Sequence, residues 1–327
     1  MTLASAAKKR YAVAKSLSYA LGESPARLFA DAMWCSNAHG ASGENYYVLR
    51  MFSLPEKARR DFLTAGRSKA ADSLLNAQAT PEDKKTLANK ALFNRAFTSI
   101  NSRRFIYAPQ AQDKELESFL DNNESFFLKP TGLTQGQGIL KISSGEIGSL
   151  GDFMAQCRRK KLLLEQVIPQ HPQLEKISPG CLNSLRLNAA RDAGGAVRII
   201  GAALRCGGVG AHVDNFHSGG VAYTVDVSAA QVAAPGRDNK TLCSYVNHPG
   251  SFTHMPGLEI PHFDKALDAV YQAMALVPSM GYVGWDLAIT PQGVEIIEGN
   301  FSYPGGNIIQ FDGVGKYPLV LRCIAGR

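Results

Sequence analysis

Apolar and polar residues follow a helical period through the first 104 residues of the chain. Apolar side chains recur there at intervals of three and four, the spacing of one helix face. The clearest segments are SPARLFADAMWC, SLPEKARRDFLTAG and TPEDKKTLANKALFNRAF. The second and third open on serine or threonine with proline and an acidic residue, as helix N-termini do. We therefore predict a helical N-terminal region over residues 1–104.

From Phe105 the pattern changes to short apolar or alternating runs, which predict β-strands. These runs are FIYAP, SFFLKP, KLLLEQVI, CLNSLRLNAA, VRIIGAALR, GVAYTVDV, GWDLAIT and VEIIEGN. Helical patterns separate some of them, namely KELESFLDN, IGSLGDFMAQCRRK and FDKALDAVYQAMALV. Strands and helices in this order indicate an α+β protein with largely antiparallel sheets.

Length and composition narrow the class of protein. A chain of 327 residues is too long for one core of ordinary size, so we expect two or three packed subdomains. Its content of 45% hydrophobic and 19% charged residues is typical of globular proteins. No apolar run approaches the roughly 18 residues that a membrane span needs. The N-terminus also lacks the hydrophobic stretch of a secretory signal, so we expect a cytoplasmic protein without a membrane span.

The spacing of the cysteines and of the basic residues argues against a disulfide-linked protein and against a nucleic-acid-binding protein. The six cysteines are scattered without a C-x-x-C motif, which is typical of free thiols in a reducing cytosol. The net charge of +7 is compatible with an anionic ligand. The sequence has no basic stripe interleaved with aromatic residues, and we expect no nucleic-acid partner.

A lysine stands at the end of a predicted strand in the segment FFLKPTGLTQGQGI. Lys129 precedes a loop with glycine at positions 132, 136 and 138. One interpretation is a solvated strand end followed by a hairpin turn. The other is a phosphate site, where a lysine charge lies beside backbone N–H groups that anionic oxygens can approach. The loop is not a Walker motif, because no G-K-[ST] follows the last glycine.

A predicted hairpin near the C-terminus carries oxygen-bearing side chains. GWDLAIT ends on the turn residues Pro-Gln-Gly, and VEIIEGN returns antiparallel to it. This return brings Asp286, Glu298 and Asn300 to one end of the ribbon, where Glu298 and Asn300 share a face. Such hard oxygen ligands suit Mg²⁺. The alternative is that these are polar residues at exposed strand ends.

Three further segments have a structural and a functional interpretation. Arg186 and Arg205 lie in apolar strands, where arginine pairs with an acid or, near a phosphate, stabilises spread anionic charge. KLLLEQVIPQH is either a buried strand or a linker whose backbone binds an adenine edge, with Glu165 or His171 placed for the ribose. Both interpretations stay open for each segment.

The segment DNFHSGG contains polar residues ahead of a Gly-Gly pair that lets the backbone pass close to a neighbour. It is either a tight hairpin that caps its own turn or an acceptor-side loop formed by Asp214, Asn215, His217 and Ser218. His212 and His217 have no cysteine or third histidine at ligand spacing, so we do not expect zinc. The stretch YPGGN at 303–307 either contacts a bound group through backbone amides or turns the chain.

The order of these parts resembles the ATP-grasp superfamily, and more closely its sugar-transfer-associated branch and α-L-glutamate ligase-like proteins. The resemblance covers roughly residues 45–320. It rests on the collinear motifs NKALFNRAF, FLKP…GQGI, LLLEQVIPQHP, NSLRL, HVDNFHSGGVAYTVD, HPG and GYVGWDLAITPQGVEIIEGN. One departure is Asn89, which stands where the family pattern often has aspartate ahead of the lysine.

The resemblance implies an ATP-grasp fold, in which two α+β lobes clasp ATP behind the helical N-terminal region. It implies a small lobe with the glycine-rich loop over residues 105–170 and a large lobe with the Mg²⁺ and phosphate site over 171–327. The implied ATP-binding residues are Lys90, Lys129, Thr134, Gln135, Gly136, Gln137, Gly138, Glu165, Gln166, Val167, Ile168 and His171. Asp286, Glu298 and Asn300 would hold Mg²⁺, and Arg186 and Arg205 would be catalytic.

The implied activity is that of an ATP- and Mg²⁺-dependent carboxylate–amine ligase, which works through an acyl-phosphate. The implied partners are a small-molecule carboxylate and an amine, in the biosynthesis of a cell-surface polysaccharide or a specialised metabolite. A small-molecule kinase and a non-catalytic nucleotide-binding protein are the alternatives. Whether the protein is a homodimer is left open.

Overall fold

The N-terminal region is helical in the structure, a computed structural model that describes residues 3–132, 138–211, 213–241, 243–302 and 304–326. Its helices are α1 (Leu3–Leu21), α2 (Pro25–His39), α3 (Gly43–Val48), α4 (Glu56–Arg59), α5 (Ala65–Leu75), α6 (Pro81–Ala88) and α7 (Lys90–Ala96). The described part of the chain has no helix long and apolar enough to cross a membrane.

Two of the predicted helices are interrupted. The segment SLPEKARRDFLTAG forms only the single turn α4, and a new helix begins at Ala65. Between them the side chain of Gln310 binds both the N–H of Leu63, at 2.8 Å, and its carbonyl, at 3.2 Å, so that backbone is bound outside any helix. The segment from Thr80 breaks at Asn89, whose side chain accepts hydrogen bonds from the first turn of α7.

The small lobe is a four-stranded antiparallel sheet covered by two helices. In chain order its elements are β1 (Phe105–Tyr107), α8 (Asp113–Asp121), β2 (Ser125–Pro130), β3 (Leu140–Ser143), α9 (Leu150–Arg159) and β4 (Leu162–Gln166). The strand order is β1-β4-β2-β3. Along β2, Phe126 and Leu128 are buried in the lobe's core, so the alternation places Phe127 and Lys129 on the opposite face.

Strand β3 is absent from the sequence prediction because its residues are mostly exposed and carry little apolar signal. It pairs with β2 in a hairpin, with Leu128 opposite Leu140. The glycine-rich segment connects these two strands. The hairpin and phosphate-loop interpretations of this segment are therefore compatible with each other.

The large lobe is built on an antiparallel sheet in the order β10-β9-β7-β6-β5-β11-β12, with β8 paired to β7. Its elements are α10 (Pro172–Glu175), β5 (Ser184–Arg191), β6 (Val197–Cys206), β7 (Val221–Asp226), β8 (Gln231–Val232), β9 (Gly236–Arg237), β10 (Ser244–Tyr245), α11 (Phe263–Leu276), β11 (Tyr282–Ile289), β12 (Val294–Asn300) and α12 (Tyr317–Ile324). The predicted strands and the antiparallel pairing are confirmed.

The two faces of this sheet pack against different helices. On one face Trp285 and Leu287 of β11 join a core with α11, α6 and α7. On the other face Tyr282 of β11 joins a core with α1, α2, α3, α5 and α12. Helices α1, α2, α3 and α5 thus form an N-terminal layer on one face of the large lobe, whereas α6 and α7 lie on the other face. By the two-residue period of a strand, Asp286 lies on the same face as Tyr282, towards this layer.

Candidate active site

Lys129 is bound by a buried carboxylate at the end of β2. It forms an ion pair with Glu165 of β4, whose other oxygen accepts a hydrogen bond from Asn94 Nδ2 at 3.0 Å. Arg103 Nε lies 3.4 Å from the same carboxylate. Burial by itself would raise the pKa of Glu165. The opposing effects of Lys129 and then Arg103 are larger together, so the pKa of Glu165 lies below its usual value. Glu165 thereby holds the lysine in place at the end of β2.

Arg103 also joins the small lobe to the large one. Its Nη1 lies 2.9 Å from Glu295 of β12, while its Nε faces Glu165 of β4. All three side chains are nearly inaccessible, with 2–6% of each exposed. Glu295 also accepts from the hydroxyl of Ser102 at 2.6 Å and from the backbone N–H of Arg103 at 3.0 Å. These contacts fix the junction of the two lobes behind Lys129.

Lys90 is the first residue of α7 and lies near Lys129. Its backbone N–H donates to the carbonyl of Thr131, at 3.4 Å, where the glycine-rich segment begins. Burial lowers the pKa of Lys90; Glu298 opposes this shift and Lys129 adds to it. The two lysines and the carboxylate of Glu298 therefore lie within electrostatic reach of one another. Two neighbouring cations of this kind favour a polyanionic ligand.

Most of the glycine-rich segment predicted to bind the nucleotide cannot be placed relative to these lysines. Thr134, Gln135, Gly136 and Gln137 lie outside the described residues, and Gly138 follows them with a left-handed φ of 69°.

The linker after β4 leads away from the lysines towards β11. Gln166 is paired with the backbone of Arg104, at 2.9 and 3.1 Å, and half-buried Val167 and Ile168 follow it. His171 begins α10, donates its backbone N–H to Ile289 at 2.8 Å and packs against His262. Within the described residues His171 makes no contact with Lys90 or Lys129.

The β11–β12 hairpin brings the three predicted metal ligands together. Asp286 is opposite Glu298, and Asn300 is opposite Gly284. Asn300 Nδ2 lies 3.1 Å from Glu298 and 3.4 Å from Asp286. No group of three His, Cys, Asp or Glu side chains converges in the described residues. The donors here are two carboxylates and an amide, oxygen ligands of the kind that Mg²⁺ prefers.

Both predicted catalytic arginines bind Asp286. Arg186, opposite Asp286 in the neighbouring strand, engages both of its oxygens, and Arg205 Nη1 lies 2.8 Å from Oδ2. Burial raises the pKa of Asp286, but Arg186 and Arg205 together hold it well below the usual value. Glu298 stays accessible to solvent; its pKa is raised, first by partial removal from water and then by Asp286. The oxygens of Glu298 are thus the more open ones for a cation.

The DNFHSGG segment supplies one residue to this cluster and caps its own turn with another. Asp214 lies 3.3 Å from Arg205 Nη2 and accepts hydrogen bonds from the hydroxyl and N–H of Ser184. Asn215 accepts the N–H of His217 at 3.0 Å, which caps a short 3₁₀ turn. Asn215 thus agrees with the interpretation of this segment as a self-capped turn, and Asp214 contacts a predicted catalytic arginine.

The rest of this segment lies at the edge of the cluster. The carbonyl of Ser218 accepts from Lys240 Nζ at 3.1 Å, and His212 lies outside the described residues. A Cβ on Gly220 would lie 2.5 Å from the carbonyl oxygen of Asp214. The close neighbour expected for the Gly-Gly pair is thus the backbone of its own loop.

The stretch after β12 lies against Arg186. Arg186 Nη1 donates to the carbonyl of Pro304 at 2.8 Å. A Cβ on Gly305, whose φ is 78°, would lie 2.9 Å from the same nitrogen, so only glycine fits there without strain. Tyr303 lies outside the described residues. This stretch turns the chain and also borders the arginines.

A sequence model of the family described as sugar-transfer associated ATP-grasp matches residues 76–319. The chain belongs to this family. The assignment confirms both the predicted ATP-grasp membership and the predicted mixed fold. A search of the curated proteins found no match.

Solved structures of other ATP-grasp proteins are distant neighbours. The ATP-grasp ligase PsnB, complexed with a minimal precursor, is 12% identical over 76% of this chain and 62% of its own, with a TM-score of 0.47. D-alanyl-alanine synthetase A from Vibrio cholerae is 12% identical over 75% of this chain and 66% of its own, with a TM-score of 0.45. N5-carboxyaminoimidazole synthetase from Staphylococcus aureus, complexed with ADP, is 10% identical over 76% and 54%, with a TM-score of 0.49. The chain spans less than two thirds of the length of these proteins, and resemblances this distant do not define its substrates.

Several residues that contact the candidate site were missed by the sequence analysis. They are Asn94, Arg103 and Glu295. Glu295 was the most detectable, since it is a charged residue inside an otherwise apolar predicted strand. Asn94 and Arg103 carry no local signal, because each is recognisable only by the buried carboxylate it contacts.

One cavity in the described residues lies away from the lysines. It measures about 920 Å³ and lies between the small sheet and α9. Leu128 and Pro130 of β2 line it, so it is on the face of the sheet opposite Lys129. The candidate active site is instead formed by the charged residues around Lys90, Lys129 and Glu298.

Proposed function

We propose that the protein is an ATP- and Mg²⁺-dependent ligase that joins a carboxylate to an amine through an acyl-phosphate. The observation that carries this proposal is the grouping of charged residues of the types that phosphate and Mg²⁺ require. Lys90 lies within electrostatic reach of both Lys129 and Glu298, and Glu298 is opposite Asp286 in the hairpin. Phosphoryl transfer depends on positioning and on neutralising charge, and these residue types supply both.

On the small-lobe side, Lys90 and Lys129 bind the α- and β-phosphates of ATP. The phosphate takes the place of Glu165 at the Lys129 ammonium, while Arg103 and Asn94 continue to compensate Glu165. The linker from Glu165 to Ile168 frames the adenine, with His171 near the ribose. Thr134 to Gly138 contribute to binding the phosphates, as the family resemblance implies.

On the large-lobe side, Asp286, Glu298 and Asn300 would hold Mg²⁺, while Asp286 also pairs with the arginines. The cation supplies neutralisation of the phosphate oxygens. Arg186 and Arg205 face the γ-phosphate and the acyl-phosphate it becomes, where a planar guanidinium stabilises spread negative charge. No covalent protein nucleophile is needed for this chemistry.

The substrates are a small-molecule carboxylate and an amine, in the assembly of a cell-surface polysaccharide or a specialised metabolite. The segment from Asp214 to Ser218 lies on the acceptor side. We place the protein in the cytoplasm, in keeping with free cysteines at all six positions, five of which are buried.

The test measures ADP and phosphate released from ATP and Mg²⁺ with a pooled panel of carboxylates, with and without a pool of amines. A ligase releases both products, and phosphate appears only when both pools are present. ADP without free phosphate would identify a kinase instead. Binding of ATP without turnover in any pool would contradict the proposal and leave a non-catalytic nucleotide-binding protein.

A further inference from the structure

A carboxylate from the N-terminal layer reaches the loops on the acceptor side of the site. Glu44, in the first turn of α3, lies 3.5 Å from His217 Nε2. The same oxygen, Oε1, accepts from Asn307 Nδ2 at 3.3 Å. His217 belongs to the segment after β6, and Asn307 belongs to the stretch after β12. Glu44 is therefore placed between the two loops that border the catalytic arginines.

These contacts place the carboxylate close to the arginines. His217 lies three residues after Asp214, whose carboxylate is 3.3 Å from Arg205 Nη2, so its loop contacts this arginine. Asn307 ends the stretch 304–307, whose first carbonyl accepts from Arg186. The arginines lie on the sheet face that packs against the N-terminal helices. The carboxylate of α3 thus borders the same space as the group that the arginines would hold.

The segment that carries Glu44 is fixed to the large lobe. Gln310, which is fully buried, binds both backbone groups of Leu63 and accepts the N–H of Lys316 at 2.8 Å. Its Nε2 also donates to the carbonyl of Gly306 at 2.6 Å. Asn45, next to Glu44, is 2% exposed and accepts the N–H of Ala65 at 2.6 Å. A side chain on this support has a defined position relative to the site.

The structure does not need this carboxylate for its stability. Its contact with His217 is an ion pair between side chains that are 36% and 65% exposed, and pairs of this kind contribute little to folding. Asp214 and Asp286 are already neutralised by arginines. Glu44 instead faces a histidine and an amide, and in the described residues its Oε2 has no hydrogen-bond partner. An accessible carboxylate beside an anion-binding centre favours a ligand group with N–H donors and positive charge.

We propose that Glu44 binds the nitrogen of the amine substrate and selects acceptors that are cationic in solution. This inference rests on the ligase function proposed above. It gives the N-terminal helical layer, which precedes the family match at residue 76, the task of choosing the acceptor. The ammonium would lose one proton to Glu44, so that the neutral amine attacks the acyl carbon of the acyl-phosphate that Arg186 and Arg205 stabilise. The C–N bond forms as the bond from the acyl carbon to the phosphate oxygen breaks, and the departing phosphate takes the second proton.

The test compares two nucleophiles in the wild type, Glu44→Gln, Glu44→Asp and a control, Glu23→Gln. Glu23 is a similarly exposed glutamate of the same region, paired only with Arg27 in the described residues. One nucleophile is hydroxylamine, which is small, uncharged at neutral pH and traps acyl-phosphates as hydroxamates. The other is a pool of primary amines that are cationic at that pH. Both are assayed with the carboxylate pool, ATP and Mg²⁺.

For each variant we take the ratio of kcat/KM for the cationic amines to kcat/KM for hydroxylamine. For Glu44→Gln we expect this ratio to be about tenfold or more below the wild-type ratio. Glu44→Asp should recover part of this ratio, and Glu23→Gln should keep the wild-type ratio. If this ratio is unchanged in Glu44→Gln, including the case of an equal loss with both nucleophiles, the inference about Glu44 is refuted and the proposed ligase function is not affected. Absence of hydroxamate with the wild type would instead refute the acyl-phosphate mechanism, and this inference with it.

Discussion

Replacing Lys129 with methionine tests the assignment of the phosphate site most directly. Methionine keeps the length and packing of the side chain and removes its charge. A hydrogen bond between charged groups contributes about 1.5–3 kcal/mol, and about 1.4 kcal/mol corresponds to a tenfold change in affinity. In the free protein Lys129 must first leave Glu165. This competition places the expected loss of ATP affinity at the lower end, about tenfold.

The assay is calorimetric titration with ATP and Mg²⁺, together with kcat/KM for ATP. Lys114→Met is the matched control, because Lys114 is exposed on α8 on the surface of the same lobe. Normal ATP affinity and a normal rate in Lys129→Met would refute the reasoning.

The fold should persist in Lys129→Met, since Arg103 and Asn94 still compensate Glu165. If the single variant does not fold, the double variant with Glu165→Gln removes the uncompensated carboxylate and keeps the test valid. A double variant with wild-type ATP affinity would likewise refute the assignment of Lys129.

Three further predictions concern the other charged groups. Arg103→Met should lower the free energy of unfolding, measured in urea, by about 3–5 kcal/mol, because it leaves the buried carboxylates of Glu165 and Glu295 without this partner. The control Arg104→Ala, at an exposed neighbouring position, should change the free energy of unfolding by less than about 0.5 kcal/mol. Equal effects of the two substitutions would contradict this role of Arg103. Arg205→Lys should reduce kcat about 100-fold, since an ammonium cannot reproduce the guanidinium fork, and an unchanged kcat in the ligase assay would exclude a catalytic role. The pKa of His217 is raised by its hydrogen bond to Glu44, so this pair stabilises the fold at low pH and the effect is lost as pH rises through the pKa of His217. Glu44→Gln should lower that pKa in an NMR titration of the imidazole, and an unshifted titration would show that the pair does not form in solution.

The strands were predictable because their signal is local. Alternation along β2 separates Phe126 and Leu128 from Phe127 and Lys129, whatever the rest of the chain does. The exposed strand β3 had no such signal. The breaks in the N-terminal helices were not predictable from period alone, since one of them depends on Gln310 binding the backbone of a segment far away in the chain.

The candidate site likewise contains residues that local patterns bring together and residues that only long-range packing brings together. Asp286, Glu298 and Asn300 belong to one hairpin, so a short turn and the pairing register suffice to bring them together. The family resemblance then favoured the phosphate interpretation of Lys129 and a catalytic role for Arg186 and Arg205. It could not suggest the partners that hold these cations in the free protein.

The sequence by itself determined the mixed fold, the antiparallel hairpins and the residues whose chemistry is suited to phosphate and Mg²⁺. Only the tertiary structure decided that Arg103 lies between Glu165 and Glu295 and that Glu44 borders the arginines. The physical reason is the range of each interaction. Side-chain periodicity and turns act between near neighbours, whereas these ion pairs form only after distant segments have packed on one sheet.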